Sequence, residues 1–204
     1  MFSLIFGFNE SFYINSIKKF ENNSFGCDFE DYCGFVNHPQ LLYNFERVDY
    51  FPFLLKDIIS GKGFMLLDLV WSEWRREAGA RLISPYFPDL DQTDSCLHLK
   101  FLSWGHGVIH LVITQQDITN RCIWYYDNQN FDLLNPNKYW TTVQIPVTLS
   151  GHSPRFFIET QIYFYKIGFV AIDEFRLFYQ KCQMPYNIGN KPGNSTICPL
   201  NKII

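Results

Sequence analysis

The stretch Cys27-Asp-Phe-Glu-Asp-Tyr-Cys33-Gly34 separates two cysteines by five residues, and a related stretch lies far downstream. That second stretch, Gly168-Phe-Val-Ala-Ile-Asp-Glu-Phe175, is strand-like, and Cys182 follows it. A close cysteine pair could be a metal knuckle, a redox pair or a small disulfide loop. A later strand that leads to another cysteine favours the disulfide loop, so the two stretches together predict an extracellular β-sandwich.

The composition predicts one well-packed domain that does not bind nucleic acid. Of the 204 residues, 47% are hydrophobic, and 21 Phe, 12 Tyr and 5 Trp are ample for a core. Charged residues make up only 18%, which argues against disorder or a coiled coil. The formal net charge is −3, and the basic residues form only isolated pairs such as Lys18-Lys19 and Arg75-Arg76. The clustered positive surface that phosphate binding requires is therefore missing from the sequence.

The cysteines favour disulfides over metal. No two are separated by the two-residue gap of a zinc knuckle, and no histidine lies at ligand spacing from a cysteine pair. Disulfides imply an oxidising compartment. The six cysteines are Cys27, Cys33, Cys96, Cys122, Cys182 and Cys198.

The N-terminal sequence fits a secretory signal badly. The apolar run Met1–Phe8 has no basic start, and Asn9 and Glu10 interrupt it early. No apolar run of about 18 residues occurs, so no transmembrane helix is predicted. Either the chain is one piece of a larger secreted or membrane-anchored protein, which we favour, or its true N-terminus is missing.

Strand-like patterns dominate the chain from Cys27 to Cys182. Val108, His110 and Val112 share one face of a run whose other face is also apolar, which predicts a strand between two packed layers. Helical periodicity is weak, and the best candidate is the short segment Trp71–Ala80. Further strands are predicted where β-branched and aromatic residues are bounded by turn residues: Phe64–Leu69, Arg81–Ser84, Leu97–Leu102, Arg121–Tyr126, Thr141–Thr148, Arg155–Tyr165 and Phe169–Tyr179.

Strands separated by turns, without alternating helices, predict an all-β protein with a jelly-roll-like antiparallel β-sandwich. We expect an N-terminal flank at 1–26, the sandwich at 27–182, and a linker or tail rich in Pro, Gly and Asn at 183–204.

Five segments follow one another in a characteristic order. The opening and closing stretches quoted above are two of the five. The other three are Gly61-Lys-Gly-Phe-Met-Leu-Leu-Asp68, Ala80-Arg-Leu-Ile-Ser-Pro85, and Cys96-Leu-His-Leu-Lys-Phe101 with Gly105-His-Gly-Val108. In this order the segments resemble a MAM domain, the extracellular module of meprins, neuropilins and some receptor tyrosine phosphatases. The resemblance covers Cys27 to Cys182, about three quarters of the chain.

The resemblance implies a jelly-roll-like sandwich that mediates adhesion or protein contacts outside the cell, homophilic contact included, without catalysis. It also implies the bridges Cys27–Cys33 and Cys96–Cys182. Cys122 and Cys198 have no counterpart in the family, so they are left to bridge each other, to link two chains or to remain thiols.

Other groups of polar residues have competing interpretations. His106 and His110 have the spacing of a zinc pair on a helix, but the flanking glycines and β-branched residues favour a turn and a strand. Asp173 and Glu174 should point to opposite faces of a regular strand, one buried and one exposed. Oxygen ligands for a structural calcium ion could come from Asp28, Glu30, Asp68 and Asp173, although ordinary turn and strand-edge roles are favoured. No Gly-x-Ser-x-Gly nucleophile motif is present.

Three N-x-S/T sequons, at Asn9, Asn22 and Asn194, lie outside the predicted sandwich, where glycosylation would be tolerated.

The leading functional hypothesis is a non-enzymatic extracellular module for adhesion or protein interaction. The first alternative is a carbohydrate-binding jelly roll, for which an exposed aromatic pair, Trp71 with Trp74 or Trp124 with Tyr126, would be the platform. The second alternative is an accessory domain of a larger secreted or membrane enzyme.

Overall fold

A computed structural model describes residues 20–21, 24–49, 63–69, 78–88, 93–127, 140–150, 153–162 and 167–183. Twelve β-strands form two antiparallel sheets, and no helix occurs in these residues. The predicted all-β sandwich is confirmed. The asparagines of the three predicted sequons lie outside the described residues, as do Trp71, Trp74 and Cys198.

The first sheet has seven strands and is built around the long last strand, β12. One edge of β12 pairs with β7 along its length, and β10 flanks β7. The other edge is shared, because β2 pairs with the C-terminal half of β12 and β5 with the N-terminal half. The strands are β1 (Phe20–Glu21), β2 (Ser24–Cys27), β4 (Glu46–Val48), β5 (Phe64–Asp68), β7 (Thr93–Gly105), β10 (Thr141–Leu149) and β12 (Gly168–Phe178).

The second sheet has five strands in the order β3-β6-β11-β8-β9. Its central strand, β11, pairs with β6 on one side and β8 on the other. The strands are β3 (Val36–Asn37), β6 (Ala78–Ile83), β8 (Val108–Gln116), β9 (Asn120–Asp127) and β11 (Arg155–Ile162).

The main core lies between the two sheets and is dominated by aromatic rings. Phe175 contacts the rings of Phe25, Phe35, Phe87 and Phe156, with centroid distances of 5.2–6.3 Å. Phe25 is on β2, so the sandwich begins before the expected boundary at position 27. Aromatic packing of this kind, edge-on for Phe25 and Phe35 and stacked for Phe87, adds to the burial of apolar area in stabilising the fold.

Both disulfides implied by the family resemblance are present in the structure. Cys27–Cys33 closes a small loop, and Cys96–Cys182 ties the middle of the chain to the end of β12. Arg47 on β4 holds the small loop by donating to the carbonyl oxygens of Phe29 and Glu30, at 2.8 and 2.6 Å. No local sequence pattern predicts this role of Arg47.

The turn predicted at His106 and the strand predicted at His110 are both confirmed, with His110 in β8. Gly105 has a positive φ of 82°, and a Cβ there would lie 2.5 Å from the carbonyl oxygen of Ile167. The start of β12 therefore approaches this turn more closely than a larger residue would allow. The weak helix prediction for Trp71–Ala80 is wrong at its described end, because Ala78 to Ala80 belong to β6.

Candidate functional site

The face of the five-stranded sheet that points away from the core carries a set of polar and aromatic side chains. Its members follow from the strand register, because residues directly opposite each other in adjacent strands share a face. The inward positions of β11 and β8, such as Phe156, Ile158 and Leu111, are fully buried in the core. We call the opposite side the outer face.

Four rows of paired residues cross the outer face. They are Arg155-Gln116-Asn120, Val36-Ile83-Phe157-Thr114-Cys122, Arg81-Glu159-Val112-Tyr125 and Gln161-His110-Asp127.

An ion pair with a shared hydrogen-bond network forms the centre of this face. The Nε of Arg81 donates to Oε1 of Glu159 at 2.6 Å, and Oγ1 of Thr114 donates to Oε2 at 2.5 Å. The exposed fractions of the Arg81 and Glu159 side chains are only 16% and 9%. Each oxygen of this nearly buried carboxylate therefore has a partner, as a desolvated charge requires.

Two apolar side chains of the face are also buried. Val112 and Phe157 have exposed fractions of 0% and 5%, yet neither belongs to the core between the sheets. The guanidinium groups of Arg81 and Arg155 both lie 5.1 Å from the Phe157 ring centroid. The β8 strand thus has one side on the core and one on this mixed face, which corrects the expectation that β8 lies between two packed layers.

Histidine and carboxylate groups lie together at the β9 side of the face. Nδ1 of His110 is 3.9 Å from Oδ1 of Asp127, and Nδ1 has no hydrogen-bond partner in the described structure. Burial lowers the pKa of His110 below its usual 6.5, although the Asp127 charge opposes the shift. His98 on β7 of the other sheet also has a lowered pKa, because burial outweighs the opposing charge of Glu174.

We expect the free energy of unfolding to fall as the pH is lowered from 7.5 to 5.5. A histidine whose pKa is lower in the folded state takes up a proton on unfolding, so its contribution is lost as pH falls from the unfolded value of 6.5 toward the folded-state pKa. Urea unfolding across this range measures the slope, which the double variant His98→Gln/His110→Gln should reduce. An unchanged slope in that variant would show that other groups control it.

The aromatic pair Trp124 and Tyr126 does not form the exposed platform that the carbohydrate alternative required. Both lie opposite core residues of β8, and their rings pack edge-on against Phe101 at 5.6 and 5.3 Å. The tyrosine that β9 presents to the outer face is Tyr125. The other pair suggested from the sequence, Trp71 with Trp74, lies outside the described residues.

The four candidate calcium ligands do not come together. Asp173 pairs with Lys100 at 2.5 Å, and Oδ1 of Asp28 accepts from the backbone N–H of Glu30 at 3.3 Å. Within the described part of the chain, no three His, Cys, Asp or Glu side chains are placed to hold a metal ion. A calcium site built from Asp28, Glu30, Asp68 and Asp173 is therefore not supported.

The expectation for Asp173 and Glu174 is also corrected. A bulge in the β12–β7 pairing interrupts the alternation of faces between Ile172 and Glu174. As a result both carboxylates are half-buried and paired, Asp173 with Lys100 and Glu174 with Arg176.

Cys122 lies on the outer face of β9, with its Sγ 3.7 Å from the carbonyl oxygen of Trp124. Its relation to Cys198 stays a prediction.

No family model matches the chain, and no curated protein matches its sequence. Among solved structures, the K1 cleaved adhesin domain of Lys-gingipain from Porphyromonas gingivalis W83 superposes with a TM-score of 0.56 at 8% identity, covering 76% of this chain and 98% of that domain. TmCBM27, a carbohydrate-binding module that recognises mannan, has a TM-score of 0.48 at 11% identity, covering 76% of this chain and 96% of the module. At such identities, the likeness to the adhesin domain shows the β-sandwich fold alone.

Proposed function

We propose that this chain is a non-catalytic extracellular recognition module that binds a glycan on the outer face of its five-stranded sheet. Two disulfides are consistent with folding in an oxidising compartment. No helix in the described residues has the length and apolarity to span a bilayer. We favour the carbohydrate-binding alternative over the adhesion hypothesis because of the chemistry of the outer face.

The observation that carries the proposal is the polar character of the accessible part of the outer face. Away from the β3 edge, where Val36 is exposed and Ile83 is partly exposed, the apolar side chains of Val112 and Phe157 are buried, whereas Gln116, Gln161 and Asp127 remain partly accessible. Sugar hydroxyls both donate and accept hydrogen bonds, so they suit a face that offers amides, guanidinium groups and carboxylates together. The centre of a protein interface is instead depleted of charged side chains.

A rigid arrangement favours the same interpretation. The Arg81–Glu159–Thr114 network fixes the centre of the face, so a ligand would meet groups that are already oriented. Preorganised hydrogen-bonding groups lower the entropic cost of binding. Because both oxygens of Glu159 are engaged, we assign this carboxylate to shaping the face and not to acid–base chemistry.

Glycan-array binding by the full chain tests the proposal. We expect the variants Tyr125→Ala and Gln161→Ala each to weaken binding about tenfold, as expected for the loss of a stacking or hydrogen-bonding contact. The control variant is Thr142→Ala, an exposed position on β10 of the other sheet. Absence of binding to every glycan, or equal loss in the control, would contradict the proposal.

A MAM-like protein-interaction role is the second candidate, and the β3 edge of the same face favours it. Val36 is 48% exposed and begins the row that includes Phe157, and Tyr86, whose ring lies beside the guanidinium of Arg155, is 51% exposed. Exposed aromatic and apolar groups beside arginines are typical of protein contact sites. A chain that binds no glycan but loses binding to a purified cell-surface protein on Val36→Asp would support this role.

A further inference from the structure

Arg155 is held in a fixed orientation at one end of the outer face. Its guanidinium lies 4.7 Å from the ring centroid of Tyr86 and 5.1 Å from that of Phe157. Its Nε donates a hydrogen bond to Oε1 of Gln116 on the neighbouring strand. Two rings and one hydrogen bond therefore set the plane of the guanidinium, and its terminal amino groups are not used in these contacts.

Arg155 differs from every other arginine and lysine in the described residues because its charge has no carboxylate partner. Each of the others is paired with a carboxylate: Arg47 with Asp49, Arg81 with Glu159, Lys100 with Asp173, Arg121 with Asp117, Arg176 with Glu174, and Lys181 with Asp94. Within this part of the chain Arg155 has only neutral partners, namely Gln116, Tyr86 and Phe157.

A half-buried, oriented and uncompensated guanidinium is a good receptor for an oxyanion. Its planar fork matches a carboxylate or a sulfate with two parallel hydrogen bonds, and such charge-assisted bonds are stronger than neutral ones. The same row continues into Gln116 and the exposed amide of Asn120 on β9. A sugar residue whose anionic group binds Arg155 would have these two amides beside its hydroxyl groups.

We propose that Arg155 forms an anion subsite of the glycan-binding face, so that the module prefers acidic sugars carrying a carboxylate or a sulfate ester. This inference rests on the proposed function, because it names the class of glycan. Arg81 does not share the role, since its guanidinium is engaged by Glu159.

The test compares neutral and acidic ligands with the full chain. An array with neutral, uronate-bearing and sulfated oligosaccharides identifies the class, and isothermal titration with hyaluronan, dextran sulfate, dextran and poly-L-glutamate measures affinity. We expect Arg155→Gln to weaken binding of the acidic ligands about tenfold or more, as loss of a charge-assisted pair does, and to weaken binding of the neutral ligands much less. Arg155→Lys keeps the charge without the fork and should recover only part of the affinity.

Lys181→Gln is the matched control, because it removes a positive charge from an exposed site outside the face. Thermal unfolding of each variant shows whether it is folded. The variant Gln116→Ala removes the hydrogen bond that orients the guanidinium but keeps the charge, so it should weaken binding of the acidic ligands several-fold.

The outcomes separate the two proposals. Preference for hyaluronan identifies the anion as a carboxylate, and preference for dextran sulfate identifies it as a sulfate. Saccharide binding that depends neither on the charge of the saccharide nor on Arg155 overturns the anion subsite but supports the glycan-binding function. Binding to no saccharide overturns both. Stronger, Arg155-dependent binding to poly-L-glutamate overturns the acidic-sugar inference in favour of an acidic protein ligand.

Discussion

Replacing Cys96 and Cys182 together by alanine lowers the free energy of unfolding by about 4–5 kcal/mol, the largest loss that we expect from a pair of substitutions in this chain. The bridge spans 86 residues of sequence. In the chain-entropy model, a crosslink stabilises by restricting the unfolded chain, and the effect grows with the logarithm of the loop length. A typical domain has only about 5–15 kcal/mol in total, so this variant should be marginal or unfolded at 37 °C.

The second disulfide provides the matched control. Cys27 and Cys33 are separated by 6 residues, so the same model gives about 2 kcal/mol for removing that bridge. Equilibrium urea unfolding of both double alanine variants measures the two losses, and replacing both partners leaves no new unpaired thiol. Equal losses would show that strain or local packing, not the length of the loop, determines what each bridge contributes.

The sequence predicted the fold class and the strands well, because both depend on local patterns. The alternation of Leu97, Leu99 and Phe101 with His98, Lys100 and Leu102 identified part of β7, and the first three are buried in the core between the sheets. Turn residues gave approximate ends for β8 and β12. A repeating pattern of two residues is a property of the strand itself, so no knowledge of its neighbours is needed.

The outer face could not be predicted, because it depends on how distant strands align. Arg81 and Glu159 are 78 residues apart, and Thr114 is 45 residues from Glu159. Each is an ordinary polar residue of a strand when considered alone. Only the register of β6, β11 and β8 brings the three side chains into contact, and register is not encoded in the local pattern of any one strand.

The prediction that Trp124 and Tyr126 of β9 form an exposed platform was wrong for a similar reason. Strict alternation puts Cys122, Trp124 and Tyr126 on one face, whereas a shift in the β8–β9 pairing between Ile113 and Thr114 breaks that alternation. Cys122 then faces outward opposite Thr114, while Trp124 and Tyr126 face the core. A bulge reverses the face of every residue beyond it, so Tyr125 and not Trp124 belongs to the candidate site.

Replacing Glu159 by leucine should destabilise the protein by about 3 kcal/mol, because it leaves the largely buried guanidinium of Arg81 without its carboxylate. It also removes the acceptor of the Thr114 hydroxyl. Thr114→Val deletes only that hydrogen bond and should cost about 1 kcal/mol.

The double variant Arg81→Met/Glu159→Leu discriminates a charge effect from a packing effect. A buried ion pair often contributes little more than apolar side chains of similar volume, so we expect the double variant to recover most of the stability that Glu159→Leu loses. Urea unfolding of the wild type, of Arg81→Met and Glu159→Leu alone, and of the double variant gives the coupling energy. This energy should exceed about 1.5 kcal/mol for groups in direct contact. A double variant no more stable than Glu159→Leu would mean that Glu159→Leu loses stability through altered packing and not through the unpaired charge of Arg81. If the double variant is stable yet has a lower affinity for the glycan proposed as the ligand, the ion pair serves the shape of the outer face and not the stability of the sandwich.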